Sequence, residues 1–407
     1  MTKTSDRYAV LLPLLLGLNF GILFFDRNAL NFLMPFIQPE LKLSFTQIGL
    51  LSSAMAFTWA ASGFIIGRVS ERTGRKKIFI VAAGLAFSAC SFLSGLAGSF
   101  LALLGARLLM GAAEGMVLPL SHAIVALEVP AERRGLAMGV TQNLGSCFFG
   151  AFLAPILLPM FALAFGWRGA FYIAGVPGLI LAVLIWIYVR EPEVPAVREH
   201  EEILGLGQIM ANRNMIICTG MAILMVSYLV IANTFLPLYL TQKLGFAPRD
   251  AGWLMGVLGL SATLGSFVVP ALSDRIGRRP VMIAVPFIGL LLPLGAMYAQ
   301  SSFVILAPLF FAGWGFNSIF SLFMATIPSE SLPVRYVATA AGVVMGIGEI
   351  IGGVGSPFVA GWAADVAGLD AVMWIIAGIT VAAGIIAMGL VETRKHATGL
   401  PDAITAV

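Results

Sequence analysis

Long apolar runs alternate with short polar clusters along almost the whole chain. Twelve runs reach the length needed to cross about 30 Å of hydrocarbon, roughly 20 residues rising 1.5 Å each. They cover approximately 9–37, 46–69, 78–98, 100–128, 135–165, 169–189, 214–241, 250–273, 280–299, 302–329, 337–364 and 371–391. The runs lack the two-residue alternation of membrane β-strands. In hydrocarbon each backbone group must be bonded within its own element, so every run is predicted to be a helix. Runs longer than about 25 residues imply tilt or extension beyond the bilayer. The longest polar stretch between runs, 190–213, is predicted to be a linker. It separates 1–189 from 214–407, with six spans in each part and a short tail at the end. The predicted fold class is an all-α membrane protein, twelve transmembrane helices in two six-helix bundles.

The two parts repeat each other. After span 2 the chain reads Gly67-Arg-Val-Ser-Glu71-Arg72-Thr-Gly74-Arg75-Lys76. After span 8 it reads Pro270-Ala-Leu-Ser-Asp274-Arg275-Ile-Gly277-Arg278-Arg279, an offset of 203. Pro130 and Pro333 share that offset, and Asn31 to Pro35 faces Asn233 to Pro237 at 202. Such repeated halves, related by pseudo-symmetry, are a hallmark of secondary transporters.

Composition narrows the class further. Hydrophobic residues make up 59% and charged residues 11%, against roughly 45–50% and 25% in soluble domains. This excludes a soluble enzyme, a disordered chain and a disulfide scaffold. Eighteen of the 24 Lys and Arg fall on one side of the predicted membrane and four on the other; Arg27 and Arg107 lie within runs. We call the richer side the basic face. The positive-inside rule makes it cytoplasmic, with both termini, in the cytoplasmic (inner) membrane. The net charge of +4 therefore reads as topology, and no nucleic-acid partner is expected. Cys90, Cys147 and Cys218 all sit in apolar runs, without disulfide or metal-ligand spacing, so no metal or cofactor is expected. The first run is too long for a signal peptide. Three His residues form no catalytic cluster, and the Walker-type phosphate loop is absent, so neither an enzyme nor a nucleotide-driven pump is expected. A monomer embedded in the lipid bilayer is expected.

Charge inside a span costs about 2.5–3.5 kcal/mol per residue, so each instance asks for a function. Asp26, Arg27, Arg107, Glu114 and Glu349 are so placed. On a helix Arg27 and Asn31 share a face, and Asp26 points about 100° away. Arg107 and Glu114 are two turns apart on one stripe, about 10 Å along the axis, and Gly111 between them should leave open volume. Glu349 pairs by the repeat with Gln142 at an offset of 207, Tyr228 with Asp26, and Asn317 with Glu114. These residues are expected to face a cavity between the halves. Two arginines against three carboxylates leave −1, and a dry site favours a proton on one carboxylate. An anion that displaces a carboxylate from an arginine would free it to take a proton, which is anion–proton symport. The bland alternatives are a structural salt bridge between spans 1 and 4 and a Glu349 that snorkels. His122 reads as structural, Asp365 and Asp370 as solvated, and Glu330 and Arg335 as residues at the basic end of spans 10 and 11.

The acidic-Arg-x-Gly-Arg-basic loop after span 2, with its partial copy after span 8, resembles the signature of the major facilitator superfamily. Glu71 stands where Asp is usual there, and Pro270 where Gly is usual. The resemblance implies that Gly67, Glu71, Arg72, Gly74 and Arg75 brace a gate on the basic face, as do Asp274, Arg275, Gly277 and Arg278. Asp-Arg in span 1, Arg-x6-Glu in span 4, Gln142, and Asn233, Pro237 and Tyr239 in span 7 resemble the anion:cation symporter group. That implies proton sites at Asp26 and Glu114, with Arg27, Arg107 and Gln142 on a carboxylate substrate. Asn31, Tyr228, Asn233 and Asn317 would complete the substrate site. Glu349 departs from that group, where a neutral amide is usual, and is read as a third proton-coupling acid. Spinster-like lipid transporters share the Asp-Arg and Arg-x6-Glu features and resemble Gly166-Trp-Arg168 and Val189-Arg-Glu-Pro192, which implies an amphipathic substrate instead. Drug antiporters are less similar, because 145–155 lacks their Gly-Pro pair. A transport-dead sensor of the same fold is the remaining alternative.

Overall fold

Each predicted run is helical in the computed structural model, which describes residues 6–192, 210–299, 301–332 and 337–393. The first four helices are α1 (Asp6–Leu41), α2 (Phe45–Thr73), α3 (Lys77–Leu96) and α4, built from Phe100–Glu114 and Val117–Glu128. A capping box starts α2: Ser44 Oγ accepts from Gln47 N at 3.1 Å, and Gln47 Oε1 accepts from Ser44 N at 3.0 Å. The break in α4 falls where α2 crosses it. A Cβ on Gly115 would lie 2.1 Å from Trp59 O, and one on Gly111 2.3 Å from Met55 O. The expectation that Gly111 leaves open volume is therefore corrected, because the α2 backbone fills that space.

α5 begins as Ala131–Gly139, widens into a π-helix over Val140–Leu153 and continues into Ala154–Tyr188. Gly166 breaks that last stretch with φ 73° and ψ 162°. This left-handed backbone suits glycine, and it turns the chain so that the remainder, up to Tyr188, is α6.

The second half repeats the pattern. α7 is Arg213–Leu238 with Tyr239–Lys243, and α8 is Pro248–Ile276. α9 is Arg278–Gly289 with Leu291–Tyr298, and α10 is Phe303–Trp314 running through a 3-10 stretch (Gly315–Ile319) to Ile327–Ser331. α11 is Val337–Gly348, a π-helical Glu349–Gly355 and Ser356–Ala367; α12 is Leu369–Ala387. These are the twelve spans of a two-bundle membrane fold. Most of the expected linker (193–209), Arg335 and the tail from 394 lie outside the described residues, as do the side chains of Gly67, Glu71 and Arg72.

Glycine sets the spacing of α1 against α5. A Cβ on Gly145 would lie 2.5 Å from both Gly17 O and Gly21 N. Gly145→Leu is expected to lower stability by about 1–3 kcal/mol through overpacking, read as a lower thermal midpoint. Gly105→Ala, with nothing within 4 Å of its added Cβ, serves as the control and should not lower it.

The halves meet most tightly toward the face opposite the basic one. A Cβ on Gly49 of α2 would lie 2.1 Å from Pro357 O, and one on Gly361 of α11 2.3 Å from Phe45 O. α8 approaches α5 as closely: a Cβ on Gly252 would lie 2.2 Å from Pro155 O, and one on Gly259 2.3 Å from Ala151 O. Phe32, Pro35, Pro159, Pro237 and Met255 close round a void of about 10 Å³, no larger than one water. Asp365, expected to be solvated, is exposed and also accepts from Phe45 N and Thr46 N at 2.8 Å and from Thr46 Oγ1 at 2.5 Å. It sits at the N-terminus of α2, where four amide groups lack helical partners. Gln242 Nε2 donates to Gln38 Oε1 at 2.6 Å on the same face. Asp370 accepts from Lys243 Nζ at 2.8 Å and Tyr239 Oη at 2.9 Å, so it too is bonded.

Candidate functional site

Along α1 the stripe Leu12, Leu16, Asn19, Leu23, Asp26 and Leu30 recurs at spacings of four and three. This is helical period, and all six are buried inside the first bundle. The pattern carries Asp26 into that interior, fully enclosed. Its Oδ1 lies 2.5 Å from Ser91 Oγ of α3, and the same hydroxyl lies 2.9 Å from Phe171 O of α6. Asp26 Oδ2 has no partner.

Arg107 and Glu114 enter the same interior from α4. Arg107 is fully buried, donates from Nη2 to Ser94 Oγ at 2.8 Å, and holds its guanidinium 5.5 Å from the Phe171 ring centroid. Its Nε and Nη1 are unpartnered, as are both carboxylate oxygens of Glu114. Among the described residues no ion pair within 4 Å joins Arg107 to a carboxylate. That sets aside a simple structural salt bridge between α1 and α4. Asp26, Arg107 and Glu114 nonetheless lie within electrostatic reach of one another, with Cys90 beside all three. Buried polar groups are normally bonded, so five unpartnered atoms on three ionisable side chains mark this interior as unusual.

Arg27 points elsewhere. It is half-buried, with its guanidinium 5.4 Å from the ring centroids of both Phe24 and Trp59. It lies within electrostatic reach of Glu114 in its own half and Glu349 in the other. Glu349 occupies the first residue of the π-helical turn of α11, with Oε2 close against Gly353, beside Val226 and Ala56. Gln142 occupies the corresponding π-helix of α5. π-Helical turns inside α-helices frequently mark functional positions. Asn31 and Gln142 are half-buried, as is Asn233, whose Nδ2 donates to Leu229 O at 2.9 Å. No described bond ties these three to the charged residues.

The second interior is aromatic where the first is charged. Tyr228 is fully enclosed, its ring 5.5 Å from Trp314 and 4.9 Å from Phe316. Asn317 follows in the 3-10 stretch, with Nδ2 unpartnered. By the repeat, Arg107 corresponds to Phe310, which is also fully buried. The structure thus gathers Asp26, Arg107 and Glu114 in one bundle and Tyr228 and Asn317 in the other, and it sets Arg27 and Glu349 in reach of each other across the halves.

At the basic face the loops are held by two glutamates. Glu392 accepts from Arg278 N and Arg279 N, each at 2.9 Å, capping α9. Glu191 accepts from Lys76 N and from Lys77 N, the latter at 3.0 Å, at the start of α3. Arg278 pairs with Asp274 at 2.5 Å and Glu330 at 2.8 Å. Gly277 has φ 106°, and a Cβ there would lie 2.7 Å from Glu392 Oε2, so both backbone and space require glycine. Gly74 ends α2 in a left-handed cap, Ser70 Oγ donates to Arg75 O at 3.4 Å, and Arg275 sits exposed in the last turn of α8.

Sequence reasoning missed Asn19, Ser91, Ser94, Trp59, Glu191 and Glu392. The seven-residue spacing from Asn19 to Asp26 was a usable signal. So was the offset of 201 between Glu191 and Glu392, which the assignment of 190–213 to a linker hides.

The family model described as Major Facilitator Superfamily matches residues 16–246 and 215–406. The "Hexuronate transporter" of Bacillus subtilis (strain 168) is 31% identical over 298 residues, 69% of this chain and 68% of that protein. "Probable sulfoacetate transporter SauU" of Cupriavidus necator is 27% identical over 402 residues, 91% of this chain and 90% of that protein. Among solved structures, a bacterial homologue of the human lysosomal transporter Spinster, inward-facing and unoccupied, superposes with a TM-score of 0.76. It is 20% identical and covers 95% of each chain, a likeness of fold.

Proposed function

The chain belongs to the major facilitator superfamily, and from that premise we propose that it carries a small organic anion across the cytoplasmic membrane together with a proton. It is a multi-pass membrane transporter of a small molecule and not an enzyme. The anionic substrates named for its relatives, a hexuronate and sulfoacetate, support the anion reading. The observation that carries the proton reading is the unpartnered Asp26–Arg107–Glu114 group inside the first bundle.

The roles divide by position. Arg27 is the substrate cation, half-buried between the faces of Phe24 and Trp59 and flanked by Glu114 and Glu349. Asn31, Gln142 and Asn233 line the same gap. A carboxylate docking on Arg27 competes with those acids for its charge. The acid that loses its counterion then favours its neutral form, because an isolated ion in low dielectric is costly. Asp26 is set up to hold a proton as well. Ser91 has one hydroxyl hydrogen for two acceptors, Asp26 Oδ1 and Phe171 O. A protonated Asp26 that donates to Ser91 leaves that hydrogen for Phe171 O. Arg107 sits too deep to meet a substrate in this conformation, and its role is to keep Asp26 and Glu114 within one electrostatic unit. Tyr228 and Asn317 form the wall of the opposite bundle.

The basic face is cytoplasmic in this reading, and the bundles 1–189 and 214–407, joined by the linker 190–213, rock about the central site. Gly67, Glu71, Arg72, Gly74 and Arg75, with Asp274, Arg275, Gly277 and Arg278, work the gate on that face. The test is uptake of radiolabelled glucuronate into proteoliposomes with the outside acidic. Accumulation is expected to need the pH gradient. Arg27→Ala should weaken apparent affinity about 10–100-fold, the loss of a charged hydrogen bond worth about 1.5–3 kcal/mol. Uptake indifferent to pH would remove the proton. Thermal stabilisation by lysophospholipid but not by hexuronates would replace the anion with an amphipathic substrate.

A further inference from the structure

We propose that a file of bound water threads the interior of the first bundle, from the basic face to Glu114 and Asp26, with Asn19 at its centre. The inference rests on the proton-coupled reading above and gives the coupling acids a supply route separate from the substrate gap.

Three helices place unpartnered polar atoms in one descending series. α1 and α3 run outward from the basic face, and α4 runs back toward it. Asn19 lies two turns below Asp26 on the buried α1 stripe, about 10 Å nearer the basic face. Ser121 lies the same two turns below Glu114 on α4. Ser88 lies about one turn below Ser91, the α3 residue in contact with Asp26. Asn19 and Ser121 are fully enclosed, as is Ser88. Both amide atoms of Asn19 are unpartnered, as are the hydroxyls of Ser88 and Ser121 and, next along α4, His122 Nε2. His122 also bonds the Met138 backbone near the start of α5.

A buried amide without partners costs about 1–3 kcal/mol, and its usual remedy is a buried water making about three hydrogen bonds. One such group could be a local flaw; Asn19, Ser88 and Ser121, enclosed on three helices of one bundle, describe a path. The helix break between Glu114 and Val117 falls beside this series, and breaks of this kind are places where water enters a helix ladder.

The fold itself does not demand polarity at these positions. In the second half the repeat places Met221 opposite Asn19, Leu291 opposite Ser88 and Met324 opposite Ser121. Those three positions are apolar there, with Met221 fully buried, and that bundle holds Tyr228 and Asn317 in place of Asp26 and Glu114. Among the described residues, the unpartnered polar atoms at these three positions belong to the half that carries Asp26 and Glu114. The charged and titratable groups around its upper end are Asp26 from α1, Cys90 from α3, and Arg107 and Glu114 from α4, with Arg27 in electrostatic reach from the gap side.

The test is a rapid pH jump on the purified full-length protein in nanodiscs, followed by infrared absorption of the protonated carboxyl group. The band is assigned by its loss in Glu114→Gln or Asp26→Asn. Asn19→Leu, an apolar replacement of similar size, is expected to slow its appearance about tenfold or more while leaving its final amplitude unchanged. Asn19→Ser, which keeps a hydroxyl and leaves room, should retain the wild-type rate. Ser121→Ala gives a second, milder block should Asn19→Leu not fold. An unchanged rate in both apolar variants overturns the water file and leaves proton coupling standing. If the wild type shows no titrating carboxyl band at all, the proton-coupled reading fails, and the file with it.

Discussion

Glu114→Gln is expected to abolish pH-driven accumulation while sparing exchange of substrate across the membrane. For a monovalent anion moved with one proton, a gradient of one pH unit supports about tenfold accumulation. In the variant the steady-state ratio should fall to about one. Counterflow, in which external labelled glucuronate exchanges with internal unlabelled glucuronate, should continue, because loaded exchange needs no release of the proton. The geometry explains the asymmetry. Glu114 is almost fully enclosed, with both oxygens unpartnered, in electrostatic reach of Arg27, Asp26 and Arg107. Gln keeps the shape and resembles the protonated acid, so the carrier would be locked in its loaded-like form.

The rival account is a charge cluster that only braces the bundle. Removing one partner of a buried pair typically costs about 3–5 kcal/mol. Under that account Glu114→Gln would lower the thermal midpoint and depress uptake and counterflow together. Accumulation lost with counterflow and thermal midpoint retained is an outcome that only a coupling role produces.

Much of this architecture was legible in the chain. Run length against bilayer thickness gave the spans, and an offset of about 203 related the halves. Intramembrane charge singled out Asp26, Arg107 and Glu114 because nothing else justifies its cost. What stayed hidden depends on where helices cross. Gly111 reads as open volume in one helix and becomes filled only when α2 is laid across it. Asp365 reads as a solvated turn residue because its partners, Phe45 N and Thr46 N, lie some 320 positions away. Arg27 and Arg107 look alike in sequence as buried cations. Burial separates them, since Arg107 faces its own bundle and Arg27 the gap between bundles. Asn19 looks like an ordinary polar interruption until its stripe is traced to Asp26.

Asp365→Ala is expected to loosen the face that this conformation holds shut. The carboxylate of α11 receives three hydrogen bonds from the first turn of α2, so one half of the protein caps a helix of the other. An acidic group at a helix N-terminus also gains from the helix dipole. Loss of such a cap typically costs about 1 kcal/mol; Asp365 is exposed, so solvent screening argues against a larger figure. That cap exists only while α2 and α11 touch. Its removal therefore acts on the balance between closed and open states, shifting the ratio about fivefold toward opening on that face. The Gly49–Pro357 and Gly361–Phe45 approaches remain, which is why the shift should be partial. A cysteine at Met255, beneath the closed seal, reports it in a background with Cys147 replaced by Ser. Labelling by a membrane-impermeant maleimide from that face should quicken about fivefold in Asp365→Ala. Asp365→Asn, which can still accept hydrogen bonds but has lost the charge, should fall between the two. Equal labelling in all three proteins would mean that glycine packing alone holds the face closed.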